Sequence, residues 1–251
     1  LMAAFRAAPA PVKIDLGVGV YKDEQGKTPV LRAVRAAEQA VFAQQETKTY
    51  LGTAGNEQFN ASIAELVLGS KHPALTSGRL RALQAPGGCG ALRLGAELLT
   101  VSGFNPTVHV SDPTWANHVP LLSSAGLKLE RYPYFEARTG TVKFDAMLER
   151  LSSLPAGDVV LLHGCCHNPT GADLSIEQWR KLADVLLQRR LVPYVDLAYQ
   201  GLGEGIDADA EGARLIAATV PEALIAVSCS KNFGLYRERV GALMVLTESS
   251  A

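Results

Sequence analysis

The stretch Val192–Tyr199, which reads VPYVDLAY, is an apolar run interrupted only by Asp196. Similar apolar runs alternate along the chain with segments of helical periodicity, and this alternation is typical of a mostly parallel sheet covered by helices. Strands buried on both faces are apolar almost throughout, as several of these runs are. The sequence therefore predicts an α/β fold in which a mostly parallel sheet is flanked by helices.

The pattern of apolar and polar residues assigns six strands and six helices. The strands are predicted at Leu80–Ala85, Thr107–Ser111, Val159–His163, Val192–Asp196, Leu224–Ser228 and Gly241–Leu246. The helices are predicted at Leu31–Gln45, Glu57–Leu68, Ala91–Thr100, Phe144–Ser152, Ile176–Arg189 and Ala210–Thr219. Asn56 is a suitable N-cap for the second helix, and Ser175 with Gln178 has the spacing of a capping box for the fifth.

Polar side chains lie where several of these strands end. Asp112, Asn168, Asp196 and Ser228 are each placed at or just beyond the carboxyl end of a predicted strand. In open α/β sheets, ligands bind at this edge. The order of the elements therefore predicts a binding site there before any motif is considered.

Lys231 lies in the segment Ser228–Asn232, directly after a predicted strand. A lysine at the ligand edge of a sheet, among small polar residues, can be partly desolvated. Desolvation lowers the pKa of an amine and makes it a nucleophile that can form an imine. The alternative for a single loop lysine is an ordinary solvated side chain.

Asp196 closes an apolar strand, where a carboxylate is costly unless it meets a cation or a hydrogen-bond donor. A protonated pyridine nitrogen would be such a partner, and the charge of Asp196 would keep that ring protonated. Pyridoxal 5'-phosphate (PLP) requires a protonated ring as its electron sink. Tyr199, three residues further on, could donate a hydrogen bond to the phenolic oxygen of the same cofactor. A helix cap or a structural ion pair is the alternative role for Asp196.

The segment His163–Gly171, HGCCHNPTG, combines two histidines and two cysteines with a turn sequence. Pro169 fixes φ and Gly171 allows a positive φ, so the turn would present the Asn168 amide at a fixed angle. Zinc is not expected, because successive side chains at a strand end point to opposite faces and the usual ligand spacing is absent. No metal site is predicted.

The segment Ala85–Ala91, APGGCGA, joins a predicted strand to a predicted helix. Small residues allow backbone N–H groups to approach a phosphate at a helix N-terminus, where the helix dipole favours negative charge. Arg239 could contact the same phosphate, and Trp115 could stack on a planar ring. The structural alternatives are helix–strand packing, a surface arginine and a core tryptophan. The segment is neither G-x-G-x-x-G nor a P-loop, which argues against a dinucleotide or ATP.

The composition gives no support for nucleic acid or membrane as a partner. The 251 residues include 24 Lys plus Arg and 25 Asp plus Glu, so the net charge is near −1. No apolar run approaches the roughly 20 residues that span a bilayer. Residues 1–11 lack the pattern of a secretory signal, and the four cysteines do not suggest a disulfide framework. A cytoplasmic location is therefore expected.

Four segments that occur in order carry a resemblance to a known family: Asp112–His118, His163–Gly171, Asp196–Gly201 and Ser228–Gly241. Together they resemble the class I aspartate and aromatic amino acid aminotransferases. Two earlier segments, Leu16–Asp23 and Tyr50–Gly52, are similar to the same family, and residues 86–88 and 163–167 are similar to its bacterial branch. The resemblance runs from about Val12 to Leu246.

The resemblance implies the large domain of the PLP-dependent transferases of fold type I. Residues 1–22 would belong to the small domain, residues 23–251 would form an incomplete PLP-binding large domain, and the C-terminal small domain would be absent. It also implies transamination between an L-amino acid, aspartate or aromatic, and a 2-oxo acid such as 2-oxoglutarate. The family works as a homodimer, so a homodimer is expected when the protein is full length.

The resemblance assigns roles residue by residue. Lys231 would carry PLP as a Schiff base and move the proton, Asp196 would pair with the pyridine nitrogen, and Tyr199 would bond the phenolic oxygen. The remaining cofactor contacts that it implies are Gly88, Cys89, Trp115, Asn168, Ser228, Arg239 and, towards the neighbouring subunit, Tyr50. The substrate contacts that it implies are Gly19, Trp115 and Asn168.

Three features depart from the family pattern. Cys89 stands where Thr or Ser is usual, so a weaker thiol donor replaces a hydroxyl. Arg237 stands where Asn or Gly is usual. The chain begins without Met and ends twenty residues after Lys231, so the natural protein is expected to be longer. A truncated, inactive fragment and another PLP reaction on the same fold, such as that of a lyase or decarboxylase, remain alternatives.

Overall fold

Seven strands form one sheet in the computed structural model, which describes residues 2–14, 17 and 19–249. The strands are β1 (Leu80–Pro86), β2 (Thr107–Asp112), β3 (Lys128–Pro133), β6 (Val159–His163), β7 (Val192–Leu197), β8 (Ala223–Ser228) and β9 (Val240–Leu246). Their order across the sheet is β1-β9-β8-β7-β6-β2-β3. A separate hairpin consists of β4 (Phe135–Glu136) and β5 (Thr141–Val142).

The sheet is mostly parallel, as the sequence predicts. The run from β3 through β2, β6 and β7 to β8 is parallel throughout. Only β9 runs against its neighbours, since it pairs antiparallel with both β8 and β1. Every residue of β8 is buried, which explains why that strand is apolar along its whole length.

Helices cover both faces of the sheet. On one face lie α3 (Glu57–Leu68), α4 (Pro73–Thr76), α7 (Phe144–Ser152), α8 (Ile176–Arg189) and α9 (Glu211–Thr219). On the other face lie α5 (Gly87–Val101) and α6 (His118–Ser123). Successive strand residues enter different cores, because side chains alternate between the two faces of a strand. Thus Val195 of β7 packs in the first core and Tyr194 in the second.

The chain divides into two compact units, residues 1–46 and residues 47–251, and the second unit contains the sheet. This first unit holds α1 (Met2–Ala7) and α2 (Arg32–Gln44), which confirms the predicted helix Leu31–Gln45 with each end shortened by one residue. The Asp23 carboxylate accepts hydrogen bonds from the backbone N–H groups of Gln25 and Lys27 in a tight turn. Leu16 and Val18, which belong to the family-like segment near the N-terminus, lie outside the described residues. Across the helices of the described part of the chain, none has the length and apolar composition needed to cross a bilayer.

The structure adds elements that the pattern did not predict. β3 was missed because its charged residues, Lys128, Glu130 and Arg131, interrupt the apolar pattern at the edge of the sheet. The predicted start of the third helix is wrong, since α5 begins at Gly87 rather than at Ala91 and therefore includes most of the predicted glycine-rich turn. Gly87 has a φ of 73°, and this conformation lets the chain turn from β1 directly into the helix without a loop.

Both predicted helix caps are confirmed. The Asn56 side chain accepts a hydrogen bond of 2.9 Å from the backbone N–H of Phe59. At α8, the Ser175 hydroxyl accepts from the N–H of Gln178 at 3.3 Å, and the Gln178 side chain accepts from the N–H of Ser175 at 2.9 Å. This capping box satisfies two backbone donors at the start of the helix.

Replacing Ser175 with alanine is expected to lower the free energy of unfolding by about 1 kcal/mol, because the N–H of Gln178 loses its acceptor. Urea unfolding followed by circular dichroism measures the change. Ser62→Ala is the matched control, since Ser62 is an exposed residue inside α3 where alanine is the better helix former. Equal stability of the Ser175→Ala and Ser62→Ala variants would contradict the capping role.

Candidate active site

The polar residues that follow the parallel strands meet at one edge of the sheet. Asp196 is the next-to-last residue of β7, and it lies opposite His163, the last residue of β6. Ser228 is the last residue of β8, and Asn168 lies five residues after the end of β6. Parallel strands bring their carboxyl ends together, so these side chains share the edge at which α/β sheets bind ligands.

Asp196 is held by a buried histidine. Its Oδ2 accepts a hydrogen bond of 2.9 Å from Nε2 of His118, whose side chain is 0% exposed, whereas that of Asp196 is 10% exposed. Within residues 2–14, 17 and 19–249, no group donates a hydrogen bond to the other carboxylate oxygen, Oδ1. The carboxylate is therefore oriented through one oxygen and has the other available for a further donor.

A chain of hydrogen bonds extends behind Asp196. The Thr114 hydroxyl lies 2.8 Å from Nδ1 of His118 and 3.2 Å from Nε2 of His163. Nδ1 of His163 accepts from the backbone N–H of Asn168 at 3.4 Å. Every donor meets an acceptor if His163 donates to Thr114 and Thr114 donates to His118, with both imidazoles neutral. Burial lowers the pKa of His163 well below its usual value, which agrees with a neutral ring.

Lys231, Tyr199 and Asn168 lie together on the same edge. The Asn168 side-chain amide donates to the Tyr199 hydroxyl at 3.4 Å, and Nζ of Lys231 lies 4.9 Å from the centroid of the Tyr199 ring. Burial raises the pKa of Tyr199, and the negative charge of Asp196 adds to this effect. The phenol therefore stays protonated and can act as a hydrogen-bond donor near neutral pH.

The start of α5 forms a narrow cradle with residues at the ends of β8 and β9. A Cβ atom on Gly88 would lie 2.9 Å from Cβ of Ser228, and one on Gly87 would lie 2.5 Å from Nη2 of Arg239. Nη1 of Arg239 also donates to the Ser230 hydroxyl at 3.2 Å. A helix N-terminus, serine hydroxyls and a guanidinium thus converge where only glycines fit, and this is the donor set of a phosphate site.

Four further residues were predicted to belong to the site: Trp115, Cys89, Tyr50 and Gly19. Trp115 packs edge-on against His118, with 5.2 Å between the ring centroids, and contacts the second core. Cys89 is half-buried in the first turn of α5. Tyr50 is 101% exposed. Gly19 lies in the first unit, where an added Cβ would meet nothing within 4 Å. The cofactor and substrate roles of these four residues remain predictions.

The sequence did not predict the residues that hydrogen-bond to the site residues or to their partners. These are Ser111, Thr114, His118, His163, His167 and Ser230. A signal for one of them was available, because a carboxylate that closes an apolar strand needs a donor and His118 was within a segment already singled out. No local pattern indicates which of the five histidines meets Asp196.

The chain matches the family model described as aminotransferase class I and II over residues 11–250. It is 50% identical over 251 residues to the aromatic-amino-acid aminotransferase of Paracoccus denitrificans, covering 100% of this chain and 63% of the relative. It is 47% identical over 246 residues to the aspartate aminotransferase of Escherichia coli (strain K12), covering 98% of this chain and 62% of the relative. The chain thus spans less than two thirds of the length of these relatives.

Solved structures agree with these matches. An aromatic amino acid aminotransferase from Burkholderia cenocepacia J2315 superposes with a TM-score of 0.95 at 45% identity, over 99% of this chain and 63% of that one. The aromatic-amino-acid aminotransferase from Burkholderia pseudomallei, covalently bound to pyridoxal phosphate, gives 0.95 at 46% identity, over 99% and 62%. The predicted resemblance and fold class are confirmed, and the chain belongs to the aminotransferase class I and II family.

Proposed function

We propose that this chain forms the PLP-binding part of an aminotransferase that transfers an amino group between an L-amino acid, aspartate or aromatic, and a 2-oxo acid such as 2-oxoglutarate. The observation that carries the proposal is the grouping of Lys231, Tyr199 and Asn168 at the sheet edge where the carboxylate of Asp196 also lies. The named activities of relatives at 47% and 50% identity support the same reaction class.

The residues at this edge fit PLP at both of its ends. Oδ1 of Asp196 could accept from a donor such as a pyridinium N–H, since His118 occupies only Oδ2, and the cradle of Gly87, Gly88, Ser228 and Arg239 suits a phosphate. When bound, PLP supplies an aldehyde that an amine can attack and a protonated ring that accepts electrons. Cys89 keeps its backbone N–H for the phosphate although its side chain is a weak donor.

Lys231 is the group that we assign to covalent attachment and proton movement. Across the described part of the chain, its ammonium forms no hydrogen bond and no ion pair, and it lies over the face of Tyr199. A deprotonated amine on a flexible stem can attack a carbonyl carbon with loss of water, and Nζ can later carry a proton.

Tyr199, Asn168 and Asp196 orient the reacting groups. The protonated hydroxyl of Tyr199 and the side-chain amide of Asn168 both offer N–H or O–H donors to an anionic phenolic oxygen. His118 orients the Asp196 carboxylate through Oδ2 and leaves Oδ1 available to a donor on the ligand. Trp115 would stack on the ring, as the family resemblance implies.

The remaining assignments concern the assembly and its setting. We propose a homodimer in which Tyr50 reaches the phosphate site of the neighbouring subunit, and its full exposure makes it available for such a contact. Gly19, Trp115 and Asn168 are proposed to contact the substrate. A cytoplasmic location and the division into residues 1–22 and 23–251 stay predictions from the sequence.

Reconstitution with PLP tests the proposal. The purified chain is incubated with PLP, and we expect an absorbance band in the visible range that is lost on reduction with borohydride. Mass spectrometry of the reduced protein is expected to locate one pyridoxyl group on Lys231. A colourless protein that gains no mass on reduction would refute the cofactor assignment.

A truncated, inactive fragment is the second candidate, and the coverage of 62–63% of the relatives favours it. The test compares transamination by this chain and by the same chain extended with its downstream coding sequence. Turnover by the short chain equal to that of the extended one would eliminate the fragment candidate.

A further inference from the structure

The turn that carries Asn168 rests on a second buried histidine, His167. This residue is 2% exposed, and both of its ring nitrogens are hydrogen-bonded. Nδ1 lies 2.9 Å from the Thr170 hydroxyl, and Nε2 lies 3.0 Å from the Ser111 hydroxyl. Because Ser111 is part of β2 and Thr170 is part of the turn, the imidazole ties the turn to the sheet.

The backbone of the same residue closes the turn. The His167 carbonyl accepts a hydrogen bond of 2.7 Å from the N–H of Gly171, and its N–H donates to Oδ1 of Asp173 at 2.8 Å. Thr170 Oγ1 also accepts from the N–H of Ala172 at 3.2 Å. Asn168 therefore lies inside a loop whose two sides are both anchored by His167.

Aromatic contacts fix the plane of the imidazole. The Tyr134 ring stacks on it with 4.1 Å between centroids and an angle of 15°. On the other side, the His163 ring lies at 4.0 Å. The Tyr134 hydroxyl donates to the Ala172 carbonyl at 2.7 Å, so the stacking partner is itself bonded to the turn.

The hydrogen bonds of this histidine are compatible with a neutral ring. If the Thr170 hydroxyl donates to Nδ1 and Nε2–H donates to the Ser111 hydroxyl, both ring nitrogens have a partner. Burial lowers the pKa of His167 to about 4. Of the groups that face the ring, His163 is also held neutral by burial. The hydrogen-bond pattern therefore persists over the neutral pH range.

We propose that His167 is a positioning residue that holds the side-chain amide of Asn168 against the Tyr199 hydroxyl by tying Thr170 to Ser111. The consequence for PLP rests on the proposed function, whereas the effect on the turn does not. A packing role alone would need only a flat ring of this size between Tyr134 and His163. Two directional hydrogen bonds, one to Thr170 in the turn and one to Ser111 in β2, exceed that requirement.

The test uses the whole chain with His167→Phe and with the pair Thr170→Val and Thr170→Ser. Phenylalanine keeps the stacked ring and removes both hydrogen bonds. Valine has the shape of threonine without the hydroxyl, whereas serine retains the hydroxyl. His109→Phe is the control for loss of stability, because His109 is equally buried but binds Asp158 near the amino end of β6.

The first measurement needs no cofactor. Amide hydrogen exchange within residues 168–172 is expected to accelerate at least about tenfold in His167→Phe and Thr170→Val, because each variant loses two hydrogen bonds. Thr170→Ser and His109→Phe are expected to exchange like the wild type in this segment. If the His167→Phe protein does not fold, the comparison of Thr170→Val with Thr170→Ser is sufficient to test the proposal.

The second measurement separates positioning from structure. In the PLP complex, the pH midpoint of the visible absorbance change is expected to shift by about half a pH unit or more in His167→Phe and Thr170→Val. It is expected to stay unchanged in His109→Phe. Wild-type exchange or an unshifted midpoint in folded Thr170→Val protein overturns the proposal. A wild type that binds no PLP refutes the proposed function instead, and the exchange data then decide the proposal.

Discussion

Lys231→Ala is expected to abolish covalent capture of PLP and to lower transamination by the active, full-length enzyme at least about 10³-fold. Alanine removes the amine that lies 4.9 Å from the centroid of the Tyr199 ring. The loss of the amine eliminates both the proposed nucleophile and the group proposed to carry the proton. Borohydride reduction followed by mass spectrometry measures capture, and steady-state kinetics measures turnover.

Lys231→Arg distinguishes the nucleophile from the charge. Arginine keeps a cation near the Tyr199 ring, but its guanidinium stays protonated and cannot attack a carbonyl. We expect this variant to lose covalent capture as completely as alanine does. Lys181→Ala, at an exposed position of α8, is the control and is expected to behave like the wild type. Pyridoxyl mass retained in the Lys231→Ala protein would place the attachment elsewhere.

Asp196→Asn and Asp196→Ala are expected to separate the charge of this residue from its hydrogen bond. Asparagine can still accept from Nε2 of His118 but no longer keeps a pyridine ring protonated. We expect turnover to fall at least about 10²-fold with little loss of stability. Alanine also leaves a buried imidazole N–H without an acceptor, and the free energy of unfolding should fall by about 1–3 kcal/mol.

The measurements for the two Asp196 variants are turnover in the presence of PLP and urea unfolding in its absence. Asp158→Asn is the matched control, because Asp158 makes the same 2.9 Å contact to a buried histidine, His109, away from the site. The Asp158→Asn variant is expected to leave turnover in the presence of PLP unchanged. Wild-type turnover in Asp196→Asn would remove the carboxylate from the proposed mechanism.

Much of the sheet could be predicted because its central strands have a simple local signature. The predicted strand Val159–His163 matches β6 residue for residue, and β7 and β8 differ from their predictions by one residue each. These strands are buried on both faces, so their apolar pattern is continuous. β3 could not be predicted in this way, since the edge strand exposes charged residues such as Lys128 and Arg131.

The candidate site was predictable only in the parts that follow strands. Asn168, Asp196 and Lys231 were indicated because each lies just beyond, or near the end of, an apolar run. Their supporting residues were not indicated by any periodicity. The sequence assigned no role to His167, and the structure places its ring against those of Tyr134 and His163.

The sequence by itself determined the central strands and the longer helices, where α3 and α8 are capped, and which polar groups lie at strand ends. These properties follow from side-chain periodicity and turn chemistry within a few residues. Only the tertiary structure decided that His118 meets Asp196, 78 residues away, and that His167 meets Ser111, 56 residues away. Such contacts form because parallel pairing aligns the ends of β2, β6 and β7, and that alignment is a property of the whole sheet.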